Sequence, residues 1–437
     1  MSHLQAIRVG LLGFGVVGSG TWNVLRRNSN EIARRAGRRI EIVRIATRTI
    51  SKATNVVGDS VPVTSDLMEV VRDPSIDIVV ELIGGTNLAK DIVIEALKNG
   101  KHVVTANKAL LAHHGNEIFK IASENKVMVA FEAAVAGGIP IIKSVREGLT
   151  ANRIQSVAGI INGTSNFILS EMREKGLAFE EVLKEAQRLG YAEADPTFDI
   201  EGVDVAHKLS ILASIAFGVP IQFDRVFSEG ITQIEQEDVV QAERLGYRLK
   251  LLGIATRREN GIELRVHPTL IPNSKMLANV NGAMNAVMVR GDAVGETLFY
   301  GPGAGSEPTA SAVVADIVDV TRLHTADPEH RVPHLAFQPD ALEDYKILPI
   351  EEAQTGYYLR MTVKDQKGVL ADVSRIFADH GISINSMIQD NKGNNLASLV
   401  FLIHQTIEAS MQRAIQQIEA LDSVQNAVKL IRLETLE

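Results

Sequence analysis

Ile7-Arg8-Val9-Gly10-Leu11-Leu12-Gly13-Phe14-Gly15-Val16-Val17-Gly18 decides the reading of this chain. The first six residues form an apolar run of buried-strand length, and helical spacing follows through Leu25. Between them stands G-x-G-x-x-G. Alone that pattern is a weak signal, but at a strand-to-helix junction near an N-terminus it is a dinucleotide-binding fingerprint. Gly13 permits the tight turn, Gly15 lets a pyrophosphate approach the backbone, and Gly18 lets helix and strand pack closely. The helix N-terminus then faces the phosphates. Gly13, Phe14, Gly15, Val16, Val17 and Gly18 are therefore candidate cofactor-binding residues.

The next strand is Ile40–Ala46, followed by Thr47 and Arg48. A carboxylate here would hold a ribose 2′-hydroxyl, and none is present. Arginine pairs instead with a 2′-phosphate. The reading favours NADP, with NAD as the alternative and a solvent-facing Arg48 as the bland one. Strands are expected at 76–82, 102–105 and 127–131, alternating with helices, which makes a parallel doubly wound sheet. Ile83-Gly84-Gly85 and Thr105-Ala106-Asn107-Lys108 lie just past strand carboxyl ends, where such sheets bind ligands. Ile83, Gly84 and Lys108 join the candidate cofactor residues.

A second centre is Gly190 to Lys208, GYAEADPTFDIEGVDVAHK. It is dense in carboxylates (Glu193, Asp195, Asp199, Glu201, Asp204) and ends in a lysine. Asp204 and Lys208 share a helix face. The bland alternative is an exposed acidic turn with a surface ion pair. Beside a nucleotide fold and a second lysine, Lys108, the stretch reads as a holder for a small polar substrate, with an ammonium able to move a proton. Upstream, Asn162-Gly163-Thr164-Ser165-Asn166 opens a helix after a strand at 154–161, and is either an anion-binding turn or a plain N-cap. Gly301-Pro302-Gly303-Ala304-Gly305 precedes a small-residue helix; this loop either folds back against the cofactor, through Gly305, or is a linker turn.

Composition narrows the chemistry. The chain has 437 residues, a net charge of -8 and no basic block, so nucleic-acid binding is not expected. No apolar run is long enough to span a bilayer, and the N-terminus lacks a signal-peptide pattern, so the cytoplasm is the expected location. There is no cysteine, which removes disulfides, thiolate metal sites and a cysteine nucleophile. If this chain handles an aldehyde with a nicotinamide, it is therefore expected to interconvert aldehyde and alcohol and go no further.

Residues 325–353 are rich in proline and acid and read as a linker. From Tyr357 the order is βαββαβ, a ferredoxin-like module. The expected fold class is α/β: a Rossmann-type doubly wound sheet at 1–135, an α+β substrate and dimerisation domain at 136–324 whose residues 301–324 return to the nucleotide domain, and the C-terminal module at 354–437.

With these segments read, the chain resembles homoserine dehydrogenases of the long type with a C-terminal ACT domain. The resemblance rests on GFGVVG (13–18), VVELIGG (79–85), GKHVVTANKALLA (100–112), EAAVAGGIPII (132–142), GIINGTSNFIL (159–169), GYAEADPTFDIEGVDVAHK (190–208) and GPGAGSEPTASAVVAD (301–316). In combination these are specific, and they span nearly the whole length. The resemblance implies interconversion of L-homoserine and L-aspartate 4-semialdehyde with NAD(P), on the route to threonine and methionine. It implies Lys208 as proton donor, Glu193 as substrate-binding glutamate, Asp199 and Asp204 as further active-site acids, and Lys108 at the junction of nicotinamide and substrate. It also implies a monovalent cation site, usually sodium, at Glu132 with the carbonyls of Val135, Gly137 and Ile139; the bland alternative for Glu132 is a carboxylate capping a strand end.

The residues' own chemistry runs in parallel. Glu193 suits an α-ammonium, while Asn162, Gly163 and Thr164 offer donors to an α-carboxylate. Lys208 and Lys108 can exchange the roles of donor and electrostatic partner. Asp365, Lys367, Gly368, Val369 and Leu370 match the ACT turn that holds a ligand backbone, with Asn385 on the neighbouring strand. L-threonine is the expected effector, and a homodimer or homotetramer the expected assembly. The bland alternative for this module is dimerisation alone. Two rivals follow from other emphases: a different small-substrate dehydrogenase on the same scaffold, and a non-catalytic amino-acid sensor. No kinase-sized segment precedes Ile7, so an aspartokinase fusion is not expected.

Overall fold

A computed structural model describes residues 5–436. The chain folds into two compact units, each built from separated segments. The first comprises the chain up to Val157 with Ala206–Val226 and Met284–Tyr345; the second comprises Ala158–Val205, Phe227–Ala283 and Lys346–Glu437. This division cuts across the four segments read from the sequence.

In the first unit the strands β1 (Ile7–Leu12), β2 (Ile40–Ala46), β3 (Val63–Thr64), β4 (Ile78–Glu81), β5 (His102–Thr105) and β6 (Val129–Ala130) form a sheet in the order β3-β2-β1-β4-β5-β6. Each pair is parallel. The order reverses beside β1, and ligands of doubly wound sheets bind at that switch point. The register is informative: Leu12 pairs with Ala46 and with Glu81, and Glu81 pairs with Thr105. The glycine loop, Arg48, Ile83–Gly84 and Lys108 therefore leave the sheet along one edge. Both faces are apolar because helices cover them; Val9, Leu11, Ile78 and Val80 are buried on one core with Ala310, Val313 and Ile317 of the helix Ser306–Leu323.

That helix packs on the first one, Val16–Arg27. Ser306 Oγ donates to the Val16 carbonyl at 2.8 Å, and the Arg27 guanidinium grips Glu307 through both carboxylate oxygens. The glycine-rich loop at 301–305 thus lies against the nucleotide fold. Its first two residues are strand rather than loop: β11 (Met284–Gly291) forms a hairpin with β12 (Gly295–Pro302), and the sequence reading missed the second strand.

Residues 325–345 are held against the first unit rather than free. Leu335 is buried, the His334 ring stacks on Phe119 at 5.2 Å, and His334 Nε2 accepts from Val129 N at 3.1 Å. The His-Leu-Ala-Phe run at 334–337 supplies apolar contact that the prolines around it disguise.

Past β6 and β7 (Ile154–Ile160), in the second unit, β9 (Tyr247–Arg258) and β10 (Gly261–Pro272) form a long antiparallel pair, with the short strands β8 (Phe227–Ser228) and β13 (Ile347–Leu348) parallel to β10. The C-terminal module contributes β14 (Gln354–Lys364), β15 (Ile384–Gly393), β16 (Leu396–Ile407) and β17 (Lys429–Leu433), with helices Val369–Asp379 and Glu408–Glu419 in the βαββαβ order. Its strand order is β17-β14-β16-β15, and β17 pairs with β10 through Thr269–Arg432 and Leu270–Leu433. The module is therefore hydrogen-bonded into a larger sheet. Side chains reinforce the join: Arg360, 2 % exposed, donates to Asp238, Glu237 and Glu235 around the helix Gln236–Arg244.

Candidate active site

The first unit carries the candidate cofactor residues and both lysines. Gly13 has φ +93, and a Cβ there would lie 2.5 Å from the Leu82 carbonyl oxygen. A side chain at Gly18 would collide with the Gly13 carbonyl, whereas the space over Gly15 is open. Gly15 caps the helix Val16–Arg27, leaving a cradle at its N-terminus. Phe14 is buried beneath the loop, Val17 packs on the core, and Val16 is exposed. Arg48 is exposed two residues past β2, beside Ala46, whose carbonyl accepts Gly13 N at 2.8 Å. Gly305, at φ +125, caps the helix that packs on this loop.

Lys108 is half-buried and opens the helix Lys108–Glu124. Asn107 caps that helix, its Oδ1 accepting Leu110 N at 3.0 Å, as a short polar side chain at an N-cap does. Lys208, 9 % exposed, lies on the helix Val203–Phe217. The two helices meet: His113 packs edge to face on His207 at 5.1 Å, and Phe223 closes on both rings. Asn116 exchanges two 2.9 Å hydrogen bonds with the backbone of Ile221 at the far end of the contact. The structure thus brings the lysine-bearing helices together through His113 and His207. The reading from sequence passed over both histidines, because a lone histidine on an apolar face carries no signal.

The second unit gathers the polar substrate candidates around Asn162. Its Oδ1 caps the helix Gly163–Lys175 by accepting Ser165 N, while its Nδ2 donates to Asp199 Oδ1 and Asp204 Oδ2; all three are 2.8 Å. Asp204 is 2 % exposed. Thr164 Oγ1 donates to the Tyr191 carbonyl at 2.7 Å, tying the turn to the Gly190 loop. A Cβ on Gly163 would press on the Ala283 carbonyl at 2.9 Å. Glu193 stands exposed on that same loop, with its own carbonyl accepting Gln187 Nε2 at 3.1 Å. Behind the turn, Lys250 donates to Asn166 Oδ1 at 3.1 Å and to the Val280 carbonyl, and burial pushes its ammonium down to about 7.

Glu132 Oε1 and Oε2 accept Ile142 N and Lys143 N, each at 2.8 Å, and Glu132 N donates to Asp316 at the same distance. Burial pushes its carboxyl up to about 7. Val135, Gly137 and Ile139 follow along a backbone curled by left-handed Ala136 (φ +55) and Gly137 (φ +47). Among the described residues there is no group of three or more His, Cys, Asp or Glu side chains able to hold a metal ion. A cation here would draw mainly on carbonyl oxygens, the donor set of a hard ion.

In the C-terminal module Gly368 (φ +97) caps the helix that Val369 and Leu370 begin, and Asp365 N bonds the Asn395 carbonyl at 2.7 Å. Asp365, Lys367 and Gly368 are exposed. Asn385 does not join them. β16 runs between β14 and β15, so Asn385 is not on the strand next to β14. It lies level with Ile403 and Leu402, at the opposite end of the sheet from Lys364. The βαββαβ crossover causes this, since the returning strand inserts between the first two.

Three family models match the chain. A homoserine dehydrogenase NAD-binding model matches residues 13–132, a homoserine dehydrogenase model matches 140–318 and an ACT model matches 357–423. The homoserine dehydrogenase of Pseudomonas aeruginosa is 60% identical over 99% of this chain and 100% of its own length. The chain belongs to the homoserine dehydrogenase family. The crystal structure of a homoserine dehydrogenase from Thiobacillus denitrificans superposes with a TM-score of 0.95 at 65% identity, covering 99% of both chains. A hyperthermophilic archaeal homoserine dehydrogenase in complex with NADPH gives a TM-score of 0.62 at 26% identity, over 72% of this chain and 98% of that one. As a homoserine dehydrogenase with an ACT domain, the chain is an oxidoreductase using a nicotinamide cofactor, and its fold is that of its relatives. Among the described residues no helix is long and apolar enough to cross a membrane.

Proposed function

We propose that this enzyme reduces L-aspartate 4-semialdehyde to L-homoserine with NADPH in preference to NADH, with Lys208 as proton donor and Lys108 as its electrostatic partner. The observation that carries the proposal is the packing of the two lysine-bearing helices through His113 and His207, in the unit that holds the glycine loop. The open space over Gly15 at a helix N-terminus fits a pyrophosphate, and exposed Arg48 past β2 fits a 2′-phosphate. Gly13 to Gly18, Ile83, Gly84, Lys108 and Gly305 would hold the dinucleotide, which supplies the hydride when bound.

The remaining chemistry belongs to side chains. Reduction of the aldehyde carbon leaves an alkoxide that must gain a proton, and the Lys208 ammonium stabilises that charge and then donates. Lys108 adds a second positive charge. Glu193 takes the substrate α-ammonium, and Asn162, Gly163 and Thr164 receive its α-carboxylate at the start of the helix Gly163–Lys175. Asp199 and Asp204, both bonded to Asn162, fix the orientation of that turn. Glu132 with the carbonyls of Val135, Gly137 and Ile139 would hold a monovalent cation, sodium, which would stiffen the exit from the nucleotide fold.

L-Threonine inhibits through the ACT domain. Because Asn385 and the Asp365–Leu370 turn lie at opposite ends of one sheet, an effector contacting both needs two modules, which supports a homodimer or homotetramer. A continuous route to the substrate turn supports inhibition. Arg432 on β17 grips Glu229, Ile231 N bonds the Ile200 carbonyl at 2.8 Å, and Ile200 follows Asp199. The test is consumption of NADPH and of NADH with L-aspartate 4-semialdehyde, with and without L-threonine. Turnover favouring NADPH and suppressed by threonine supports the full reading. Turnover indifferent to threonine removes the regulatory half, and equal use of both cofactors removes the Arg48 assignment.

A further inference from the structure

Glu81 ends β4 with 0 % exposure, a charged side chain where its strand neighbours Val79 and Val80 are apolar. Its Oε1 accepts Ile83 N at 2.9 Å and Gly84 N at 3.2 Å, and its Oε2 accepts Thr105 Oγ1 at 2.6 Å. The Asn107 side chain bonds the same carboxylate, opposing the rise in proton affinity that burial causes. Thr105 Oγ1 in turn accepts Asn107 N at 3.0 Å, which directs the hydroxyl proton toward Glu81. Asn107 Nδ2 reaches the Gly85 carbonyl at 2.7 Å. One carboxylate therefore joins the loop after β4 to the turn after β5, and that turn begins the helix of Lys108.

A buried carboxylate is costly unless its lone pairs are engaged, and an apolar residue would hold a purely structural position at least as well. We propose that Glu81 is a positioning residue for the reaction, locking the Ile83–Gly84 loop and the Thr105–Lys108 turn into one fixed floor under the nicotinamide end of the cofactor. The inference rests on the reading of this sheet edge as the nicotinamide site. Ile83, Gly84 and Lys108 act at the reacting groups, and Glu81 acts through them. Displacing a reacting group by about 1 Å costs on the order of a hundredfold in rate.

The test is Glu81→Gln, which keeps the shape but replaces one accepting carboxylate oxygen with a donating amide, so that either the two backbone N–H groups or the Thr105 hydroxyl lose their acceptor. Three quantities are measured on the full-length enzyme: the Kd for NADPH by fluorescence, the Kd for adenosine 2′,5′-bisphosphate, which lacks the nicotinamide, and kcat. The expected result is NADPH bound about tenfold more weakly, kcat lower by about a hundredfold, and adenosine bisphosphate bound as before. Thr105→Val, which removes one donor, should move the same quantities in the same direction by less, and carries the test if Glu81→Gln does not fold. Equal weakening of both ligands, the mark of a merely structural role, overturns the proposal, and so does an unchanged NADPH Kd and kcat. Lys108→Met run alongside separates the two readings. If Lys108→Met cuts turnover while Glu81→Gln does not, the Glu81 proposal alone fails; if neither acts, this edge is not the nicotinamide site.

Discussion

His113 and His207 meet edge to face at 5.1 Å, and their contact joins the helix that opens with Lys108 to the helix that carries Lys208. Lys208 follows His207 directly, so the ring contact fixes the turn from which its ammonium projects. A packed aromatic contact of this kind adds about 1 kcal/mol beyond the area it buries.

Asn162 serves a cap and two carboxylates at once, and two substitutions separate these duties. Asn162→Ala should cost about 1 kcal/mol as a lost cap and raise the KM for homoserine. Asn162→Asp keeps an acceptor for Ser165 N but faces Asp199 and Asp204 with a like charge. It should lower the melting temperature further and cut kcat/KM more deeply than Asn162→Ala. Thermal unfolding beside steady-state kinetics checks the order; an aspartate variant as active as the parent would remove Asn162 from the substrate turn.

Arg48→Asp tests cofactor choice. With the guanidinium replaced by a carboxylate, NADPH should bind at least tenfold more weakly, on the order of one lost charge-assisted pair. NADH should change little. Titration of both reduced cofactors reads this directly, and parallel losses would mean that Arg48 meets no 2′-phosphate.

Lys250 makes stability depend on pH. Its folded value, about 7, lies below its ordinary 10.5 because burial favours the neutral amine. The unfolded chain therefore holds one more proton between those values. Stability contributed by this site is lowest below about pH 7 and rises as pH climbs toward 10.5. The full swing is on the order of 5 kcal/mol. Denaturant unfolding of the parent and Lys250→Met at pH 7 and pH 9.5 should show the parent gaining relative to the variant as pH rises. A constant difference would mean that Lys250 titrates alike in both states.

Glu229→Gln tests the route from the ACT domain. It weakens the grip of Arg432, 2.7 Å away, without touching substrate or cofactor candidates. Threonine should still bind, while inhibition weakens several-fold and basal turnover stays near the parent. Calorimetry beside inhibition curves distinguishes lost binding from lost coupling. Inhibition unchanged in the variant would route the signal elsewhere.

Much of this was legible in the residues. Ile7–Leu12 and Ile40–Ala46 are strands where their apolar runs ended, since both faces of a parallel sheet are buried and the pattern is continuous. The C-terminal βαββαβ order was equally plain. What escaped was set by tertiary contact. Glu81 read as the end of an apolar strand, and only the pairing of Glu81 with Thr105 reveals the loops it joins. His334 and Leu335 looked like linker because the prolines around them break periodicity, yet Phe119 gives them a surface to cover. Asn385 looked close to the Asp365 turn because sequence order hides the insertion of β16. The junction of β17 with β10 pairs residues too far apart in the chain to be anticipated.

In the proposed reaction Lys208 gives its proton to the product alkoxide. The direct measurement is single-turnover loss of NADPH absorbance with L-aspartate 4-semialdehyde, for the parent and Lys208→Ala, with NADPH affinity measured on the same samples. The expected result is a rate lower by about a hundredfold or more with NADPH affinity within about twofold of the parent, since the proposed role of Lys208 lies in the transition state and not in cofactor binding. A variant that turns over at the parent rate, or that loses NADPH binding together with turnover, would contradict it.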